Sequence, residues 1–254
     1  MRPLRICIIG LDDYGMLTGE TTTAYVGGET VQHVLLARAW RDLGADVSII
    51  VLDHGQGRVT NVDGIRAIAA YERSAGLPGV RFFFPRMTGL LAAMREADAD
   101  VYYQSLASAN TGITAWFCRR HGRRFVFRIS SDAYCIPGQQ LIRFWRDRKI
   151  YEYGLKRADV IAAQTTYQQQ LLKQHYGLDS QVVNMVVELP QTTAAPKDID
   201  VLWVSNLRPV KRPELVIDLA RRLPNVRFVV VGGGRDVNTR PMREAASQLA
   251  NLEY

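Results

Sequence analysis

The chain has 254 residues, 47% of them hydrophobic and 22% charged, which is typical of a soluble globular protein with one large domain or two ordinary ones. No apolar run approaches the roughly 20 residues of a membrane span, and the first apolar segment is too short for a signal peptide, so we expect a cytoplasmic protein. The net charge of +7 calls for an anionic partner, but no zinc-finger spacing, RNP motif or aromatic-basic stripe indicates nucleic acid.

The cysteines and histidines predict neither a disulfide framework nor a metal site. Cys7, Cys118 and Cys135 contain no CxxC pair, and the four histidines show no metal-ligand spacing. No GxGxxG motif follows the first predicted strand, which argues against a nicotinamide enzyme. We therefore expect no cofactor.

The chain opens with a strand–helix–strand pattern. Arg5–Gly10 is the first predicted strand, followed by a loop of about sixteen residues rich in glycine and threonine. A helix is predicted over Glu29–Leu43, directly after Gly27 and Gly28, and a second strand over Val47–Leu52. Loops of that length without structure of their own tend to be functional, so this loop and its closing glycine pair are of interest.

The region from residue 53 to 187 alternates short apolar runs with helical patterns, as expected for a doubly wound parallel sheet. The predicted strands are Ile65–Ala69, Val80–Phe84, Val101–Gln104, Phe125–Ile129, Val160–Ala163 and Gln181–Val186. The predicted helices are Leu90–Ala97, Thr111–His121, Gln139–Arg157 and Tyr167–Tyr176.

Two basic clusters fall in this region, one over Arg119–Arg124 and one over Arg143–Lys149. The second cluster mixes Phe144 and Trp145 with arginines, a pattern that suits the surface of an anionic membrane. The same pattern is more often typical of an ordinary helix with its apolar side in the core and its arginines in water. Both interpretations remain open.

A second strand–helix–strand pattern follows a linker. Residues 188–198 contain two prolines among small and polar residues, which predicts an interdomain linker. A strand over Val201–Val204, a basic loop, a helix starting at Pro213 and a strand over Val226–Val231 come next. A helix over Pro241–Ala250 and the beginning of a third strand complete the chain.

The stretch from Asp200 to Gly234, with VSNLRPVKRPEL after its first strand and FVVVGGG at its end, resembles the second domain of a GT-B glycosyltransferase of the family 4 (group 1) type. The resemblance implies an α/β, GT-B-like fold. Residues 1–187 would form a complete N-terminal Rossmann-like, doubly wound domain on the acceptor side. Residues 199–254 would form the first part of a C-terminal Rossmann-like domain on the donor side.

The resemblance also implies that the chain is a fragment, inactive without the rest of the donor domain. A complete second domain would need on the order of 100 further residues. In the family that portion carries two glutamates, seven residues apart, that hold the sugar and ribose of the donor.

The donor site is implied by two family features. A basic loop grips the diphosphate of a nucleotide-sugar, and a glycine pair before the first helix lets the backbone approach it. Lys211 has the place of the family lysine, Asn206 stands where an arginine is expected, and Arg208 is a candidate substitute, although charged loop residues are usually solvated. The implied donor-binding residues are Gly27, Gly28, Asn206, Arg208, Lys211, Gly232 and Gly233, of which the last two also suit a simple turn at a strand end.

The catalytic residues implied by the resemblance are Asp132, Ser131 and Lys211. Many family members have a histidine after the strand that ends here at Ile129, and Ser130, Ser131 and Asp132 occupy its place. Asp132 has two interpretations, one as a group that orients an acceptor hydroxyl and one as a helix or turn cap.

The resemblance therefore implies a retaining glycosyltransferase of the hexosyltransferase type, acting from a nucleoside-diphosphate sugar on a glycan or lipid-linked acceptor without a metal. The basic surface suggests a peripheral position at the inner face of a membrane. The alternative is a non-catalytic protein that binds sugar nucleotides or glycans on a degenerate GT-B scaffold, favoured by the absent histidine and by Asn206. A sugar-nucleotide epimerase shares this architecture, but no acidic pair can be assigned to it.

Overall fold

The computed structural model describes residues 2–20, 27–188, 197–233 and 237–254. The chain falls into two units, residues 1–188 and 189–254. Most of the predicted linker, residues 189–196, lies outside the described residues, as do Gly234 and residues 21–26 of the first long loop.

The first unit is built on a sheet with the order β3-β4-β2-β1-β5-β6-β7-β8. Its strands are β1 (Arg5–Ile9), β2 (Asp46–Asp53), β3 (Val59–Val62), β4 (Ile65–Glu72), β5 (Val101–Gln104), β6 (Arg124–Arg128), β7 (Val160–Ala163) and β8 (Gln181–Val182). Neighbouring strands are parallel except β3 and β4, which form an antiparallel hairpin. The central strands read as almost unbroken apolar runs because helices cover both faces of the sheet.

The helices of the first unit are α1 (Tyr14–Thr18), α2 (Gly28–Asp42), α3 (Thr88–Ala97), α4 (Ala109–His121), α5 (Trp145–Leu155) and α6 (Thr166–Tyr176). One core lies between α2 and the sheet and contains Ile8, Val34 and Tyr103. The larger core, on the other face, contains Cys7 and Tyr102. Successive strand residues thus point to opposite faces, so each central strand contributes to both cores.

The amino ends of the strands are joined by ion pairs that involve the first basic cluster. Arg123 contacts Asp100 at 3.3 Å, and the guanidinium of Arg5 contacts the same carboxylate at 2.9 Å. Arg124 pairs with Asp159 at 2.8 Å. Hydrogen bonds from Arg5 hold the pKa of Asp100 at about 2. Part of this cluster therefore serves the sheet rather than an external anion.

Four predicted elements are corrected by the structure. The first long loop contains α1, which ends at Gly19 in the left-handed conformation that glycine adopts easily. The strand predicted over Val80–Phe84 is wrong, since Phe82–Met87 forms helical turns that are interrupted at Phe84, where the backbone is extended. The N–H groups of Phe83 and Phe84 donate to the carbonyl of Val80 at 2.9 and 3.1 Å, so the backbone bonds locally and not to a neighbouring strand, and Pro85 directly after has no N–H for a ladder.

The long helix predicted over Gln139–Arg157 is also wrong in its first part, because α5 begins only at Trp145. The buried side chain of Gln140 donates to Glu152 at 3.0 Å and to the hydroxyl of Tyr176 at 2.8 Å. These bonds hold the preceding segment against α5 and α6 in a non-helical conformation. The strand predicted over Gln181–Val186 is shorter as well and ends at Val182.

The second unit has a parallel sheet with the order β11-β10-β9. Its elements are β9 (Val201–Val204), α7 (Pro213–Arg222), β10 (Phe228–Val231), α8 (Arg240–Gln248) and β11 (Leu252–Glu253). Val216, Phe228 and Met242 lie in its separate apolar core. Within the described parts of both units, no helix has the length and apolar character required to cross a membrane.

Candidate functional site

The carboxyl ends of β1, β5 and β6 lie side by side at one edge of the sheet, because these strands are parallel neighbours. Gly10 directly follows β1, Ser105 follows β5, and Ser130 comes two residues after the end of β6. Ligands of open α/β sheets bind at this edge. The edge is therefore where site residues are expected.

A buried polar cluster occupies this edge between β1, β5 and α2, and we call it the His33 cluster; its members are Asp13, Glu29, His33 and Ser105. Nδ1 of His33 lies 2.6 Å from Oδ2 of Asp13, and Nε2 lies 2.7 Å from Oγ of Ser105. The Ser105 hydroxyl contacts a carboxylate oxygen of Glu29. Asp13, His33 and Ser105 are each less than 5% exposed, while the Glu29 side chain is 25% exposed.

The hydrogen bonds of the cluster determine where its protons lie. Ser105 has one hydrogen, so when it donates to ionised Glu29, Nε2 of His33 must donate to Ser105 and Nδ1 to Asp13. His33 is then an imidazolium. In the alternative arrangement, protonated Glu29 donates to Ser105, which donates to neutral His33. The two arrangements contain the same number of protons, so the cluster can move a proton between a buried imidazole and a partly exposed carboxyl group.

His33 and Glu29, the two titratable ends of the cluster, both have a raised pKa. Burial lowers the pKa of His33, but the charge and hydrogen bond of Asp13 and the charge of Glu29 outweigh it, and the net direction is upward despite Arg128 nearby. Burial raises the pKa of Glu29 above its usual range, against the opposing effects of His33 and Ser105. A titratable pair with raised pKa values at a strand edge is a recognised mark of a functional site.

Gly10 makes room for this cluster. A β-carbon at this position would lie 1.7 Å from Oδ2 of Asp13 and 3.1 Å from Nδ1 of His33. Any larger residue would therefore displace the Asp13 carboxylate. This glycine is needed for close approach of side chains rather than for its backbone conformation.

The predicted glycine pair lies at the start of α2, immediately before Glu29. Gly27 is the N-cap with an extended backbone, and Gly28 is the first helical residue. A β-carbon on Gly28 would meet no heavy atom within 4 Å among the described residues. The described residues therefore give no conformational or packing reason for glycine at 28, which lies at a helix N-terminus, where the first N–H groups have no partner within the helix.

Ser131 and Asp132 form the start of a short 3-10 turn, Asp132–Cys135, after β6. Ser131 is its N-cap residue but makes no side-chain capping bond. The exposed carboxylate of Asp132 accepts a hydrogen bond of 2.9 Å from the side-chain amide of Gln168. This contact fixes the direction of the Asp132 carboxylate at the same sheet edge.

In the second unit, the basic loop forms a 3-10 turn over Pro209–Lys211 between β9 and α7. Lys211 is exposed, and its N–H donates to the carbonyl of Arg208 at 2.8 Å. Arg212 follows in the left-handed conformation and is the N-cap of α7. Asn206 and Arg208 precede the turn, so the three predicted polar residues of this loop lie within one short connection at the carboxyl end of β9.

The two predicted glycines after β10 differ in their surroundings. A β-carbon on Gly232 would lie 1.8 Å from the carbonyl oxygen of Ser205, so close packing of two backbones accounts for this glycine. A β-carbon on Gly233 would meet nothing within 4 Å among the described residues. The carbonyl of Gly233 accepts from the N–H of Leu207 at 3.0 Å, which ties this turn to the basic loop.

The His33 cluster was missed by sequence reasoning, which considered the histidines only as metal ligands. Two signals were present: Asp13 and Ser105 each follow a buried strand closely, and His33 lies one helical turn after Glu29. No spacing in the sequence connects these three segments. Only the order of the strands in the sheet brings them together.

Comparison with solved structures finds similar folds over almost the whole length of the chain. It is similar to the E. coli trehalose-6-phosphate protein bound with UDP-2-fluoro glucose, with a TM-score of 0.60, 11% identity, and coverage of 98% of this chain and 73% of that one. It is also similar to Glycyrrhiza uralensis UGT73P12, complexed with glycyrrhetinic acid 3-O-monoglucuronide, with a TM-score of 0.55, 12% identity, and coverage of 99% of this chain and 68% of that one. For the Neisseria meningitidis UDP-GlcNAc 2-epimerase bound to UDP-GlcNAc, the TM-score is 0.53, the identity is 11%, and the coverage is 98% of this chain and 71% of that one.

At these identities the likeness shows the fold alone, which is the expected GT-B-like α/β fold. Among curated proteins, no sequence match was found. The family model of the glycosyl transferase 4-like domain matches residues 27–187, from the glycine pair to the end of the first unit. Because the match covers more than half of the sequence, the chain belongs to the glycosyl transferase 4-like domain family.

Proposed function

We propose that the protein is a retaining glycosyltransferase that transfers a hexose from a nucleoside-diphosphate sugar to an acceptor hydroxyl of a glycan or lipid-linked molecule. Family membership supports sugar transfer in general. The observation that carries the finer proposal is the N-terminus of α2, which begins at Gly28 directly before Glu29 of the His33 cluster, with no described heavy atom within 4 Å of a β-carbon at Gly28. Free N–H groups and a positive helix end suit a diphosphate there.

The chemistry can proceed without a metal in this proposal. The bond between the anomeric carbon and the diphosphate oxygen breaks, the acceptor oxygen bonds to that carbon, and the acceptor proton passes to the departing phosphate. Negative charge grows on the diphosphate, so fixed cations and N–H groups stabilise the transition state most. Lys211, with Arg208, Asn206 and Gly233, is proposed to bind the diphosphate of the donor and to supply this stabilisation.

The His33 cluster has two proposed roles in this scheme. Its hydrogen bonds hold Glu29, and with it the start of α2, against the ends of β1 and β5. A carboxylate beside a diphosphate would repel it, and the raised pKa of Glu29 reduces that repulsion by favouring the neutral form. Asp132, directed by Gln168, is proposed with Ser131 to orient the acceptor hydroxyl.

Replacing Lys211 by alanine is expected to weaken the binding of nucleoside-diphosphate sugars by about tenfold, because one charge-assisted contact to phosphate is lost. Titration calorimetry with a panel of such sugars measures the effect. Lys197→Ala removes another exposed lysine of the second unit and should leave binding unchanged. Equal weakening by both variants would mean that only overall charge matters.

Replacing Gly28 by alanine is expected to separate binding from stability. Alanine is the better helix former, so the free energy of unfolding should stay constant or rise by up to about 1 kcal/mol. The added methyl group would occupy the space proposed for the diphosphate, so donor binding should fall by about tenfold or more. Urea unfolding and calorimetry on the same variant test both expectations, and unchanged binding would remove the glycine pair from the site.

The alternative of a non-catalytic binding protein gives a different pattern. Such a protein would bind a sugar nucleotide or glycan without releasing free nucleoside diphosphate over hours of incubation with any acceptor. Binding by none of the nucleotide-sugars would contradict the proposed transfer reaction itself. If the acceptor is lipid-linked, the proposal includes a cytoplasmic position at the periphery of a membrane.

A further inference from the structure

An apolar pocket of about 530 Å³ opens on the surface of the first unit. Its walls come from the segment Phe82–Met87 and from α3, α4 and α5. Phe83, Ile113, Trp116 and Tyr153 are among its lining residues, and its lining surface is almost entirely apolar. We call it the aromatic pocket.

The aromatic side chains at this pocket are unusually exposed. Phe83 is 53% exposed, Trp116 46% and Tyr153 37%. Just before and at the start of α5, Phe144 and Trp145 are 54% and 72% exposed. Large apolar residues gathered in one region of a surface mark a binding site, and tryptophan is characteristic of membrane interfaces.

Cationic side chains line the pocket or contact its lining residues. Lys149 is itself a lining residue, with a side chain that is 72% exposed. The guanidinium of Arg146 lies 3.9 Å from the ring centre of Phe82, and that of Arg157 lies 3.9 Å from the ring centre of Tyr153. Both of those rings line the pocket.

The cations exceed the acids in this region. Lys149 pairs with Glu152 at 3.2 Å and Arg146 with Asp147 at 2.8 Å. Residues 143–157 nevertheless contain six basic and two acidic side chains, a net charge of +4. An apolar chamber with a basic mouth fits a molecule that has an apolar chain and an anionic head, and a neutral apolar ligand would gain nothing from these charges.

We propose that the aromatic pocket receives an acyl chain of an anionic phospholipid and docks the first unit on an anionic bilayer, with Arg146, Lys149 and Arg157 facing the lipid headgroups. The inference deepens the proposed function, because it names the surface that would bring the protein to a lipid-linked acceptor. Its test is independent of sugar transfer.

Sedimentation with vesicles at low salt tests the proposal. The protein should bind phosphatidylglycerol vesicles and leave phosphatidylcholine vesicles unbound. Lys149→Gln together with Arg157→Gln should weaken binding roughly 30-fold, given about 1 kcal/mol for each cation near an anionic surface. Phe83→Asp should weaken it by at least about tenfold, because a charge at the pocket mouth opposes chain entry.

Matched controls lie on α6. Lys173→Gln removes an exposed lysine that is paired with Asp179, and Tyr167→Asp changes an aromatic residue that is 55% exposed. Neither control should change vesicle binding. Thermal unfolding of all variants tests whether the pocket variants remain folded.

Lipids with bromine along the acyl chain report entry into the pocket directly, since bromine quenches tryptophan fluorescence at short range. Quenching in the wild type should be reduced in Trp116→Phe and lost in Phe83→Asp. Failure to bind anionic vesicles, or binding that the pocket variants leave intact, would overturn the inference. Vesicle binding without nucleotide-sugar binding would support the docking inference and contradict the proposed function. Nucleotide-sugar binding without vesicle binding would contradict the docking inference alone.

Discussion

Replacing His33 by alanine is expected to lower the free energy of unfolding by about 3–5 kcal/mol, because the substitution leaves the Asp13 carboxylate buried without its ionic partner. Asp13 and His33 are each 2% exposed, so the Asp13 carboxylate stays away from bulk solvent when the imidazole is lost. Ser105 loses its contact with Nε2 in the same variant. Urea unfolding at pH 6 measures the effect.

The stability losses caused by replacing Asp13 and by replacing His33 should not be additive. In the variant that carries both Asp13→Ala and His33→Ala, no uncompensated charge remains, so the double variant should lose less stability than the sum of the single ones. His175→Ala changes an exposed histidine on α6 and should have no measurable effect. A loss below about 1 kcal/mol for His33→Ala would show that the cluster does not hold the fold together at this edge.

The stability difference between the wild type and His33→Ala should also depend on pH. The pKa of His33 is raised in the folded state, so its protonated form contributes fully below the unfolded value of about 6.5 and that contribution is lost as pH rises through the folded pKa. The raised pKa of Glu29 also lowers the stability of the folded state as pH rises, because ionisation of its carboxyl is disfavoured in the fold, but Glu29 is present in both proteins and the expected pH dependence of the difference is assigned to His33. Asp13 and Arg128 are the other charged groups that act on His33.

Unfolding curves at pH 6 and pH 9 should therefore show a larger difference between wild type and His33→Ala at pH 6. Part of the difference should persist at pH 9, since neutral His33 can still donate from Nδ1 to Asp13. A difference that grows with pH would mean that His33 is neutral in the folded protein over this range. The arrangement in which His33 is an imidazolium would then be wrong.

Much of the fold could be predicted from the sequence, because buried parallel strands and capped helices have strong local patterns. The strands at Val101–Gln104, Val160–Ala163 and Val201–Val204 lie where the apolar runs predict them. The strand at Ile65–Ala69 was predicted and lies within β4, but β3 and the hairpin that it forms with β4 were missed, although the turn has a clear signal. Asp63 and Gly64 both have positive φ, at 50° and 79°, and an Asp-Gly pair is typical of such turns.

The incorrect elements share a physical cause, which is that side chains distant in sequence decide the local backbone. Apolar periodicity continues smoothly from Gln139 into α5, yet the amide of Gln140 bonds to Glu152 and Tyr176 and keeps the first part out of the helix. The candidate site follows the same rule. Gly27, Gly28 and Lys211 could be proposed from local motifs and a family resemblance, whereas the His33 cluster depends on tertiary structure alone.

Replacing Gly154 by alanine is expected to lower the free energy of unfolding by about 2–3 kcal/mol, because α4 and α5 cross at this residue with their backbones in contact. A β-carbon on Gly154 would lie 2.4 Å from the carbonyl oxygen of Thr111 and 2.6 Å from the backbone nitrogen of Gly112. Facing it, a β-carbon on Gly112 would lie 2.2 Å from the carbonyl oxygen of Ile150. All three are backbone atoms, so no side chain can rotate away to relieve the overlap.

Gly28→Ala is the matched control for this substitution, since it also places alanine in a helix but meets no described heavy atom within 4 Å. The intrinsic preference of alanine for helices stabilises both variants by up to about 1 kcal/mol, so the difference between them isolates the cost of the helix crossing. The crossing also sets the positions of Gly112 and Ile150, which line the aromatic pocket. Gly154→Ala should therefore reduce vesicle binding together with stability, whereas Gly28→Ala should reduce donor binding alone. If Gly154→Ala proved as stable as the wild type, the helices could not pack this closely, and the pocket between them would have a different shape.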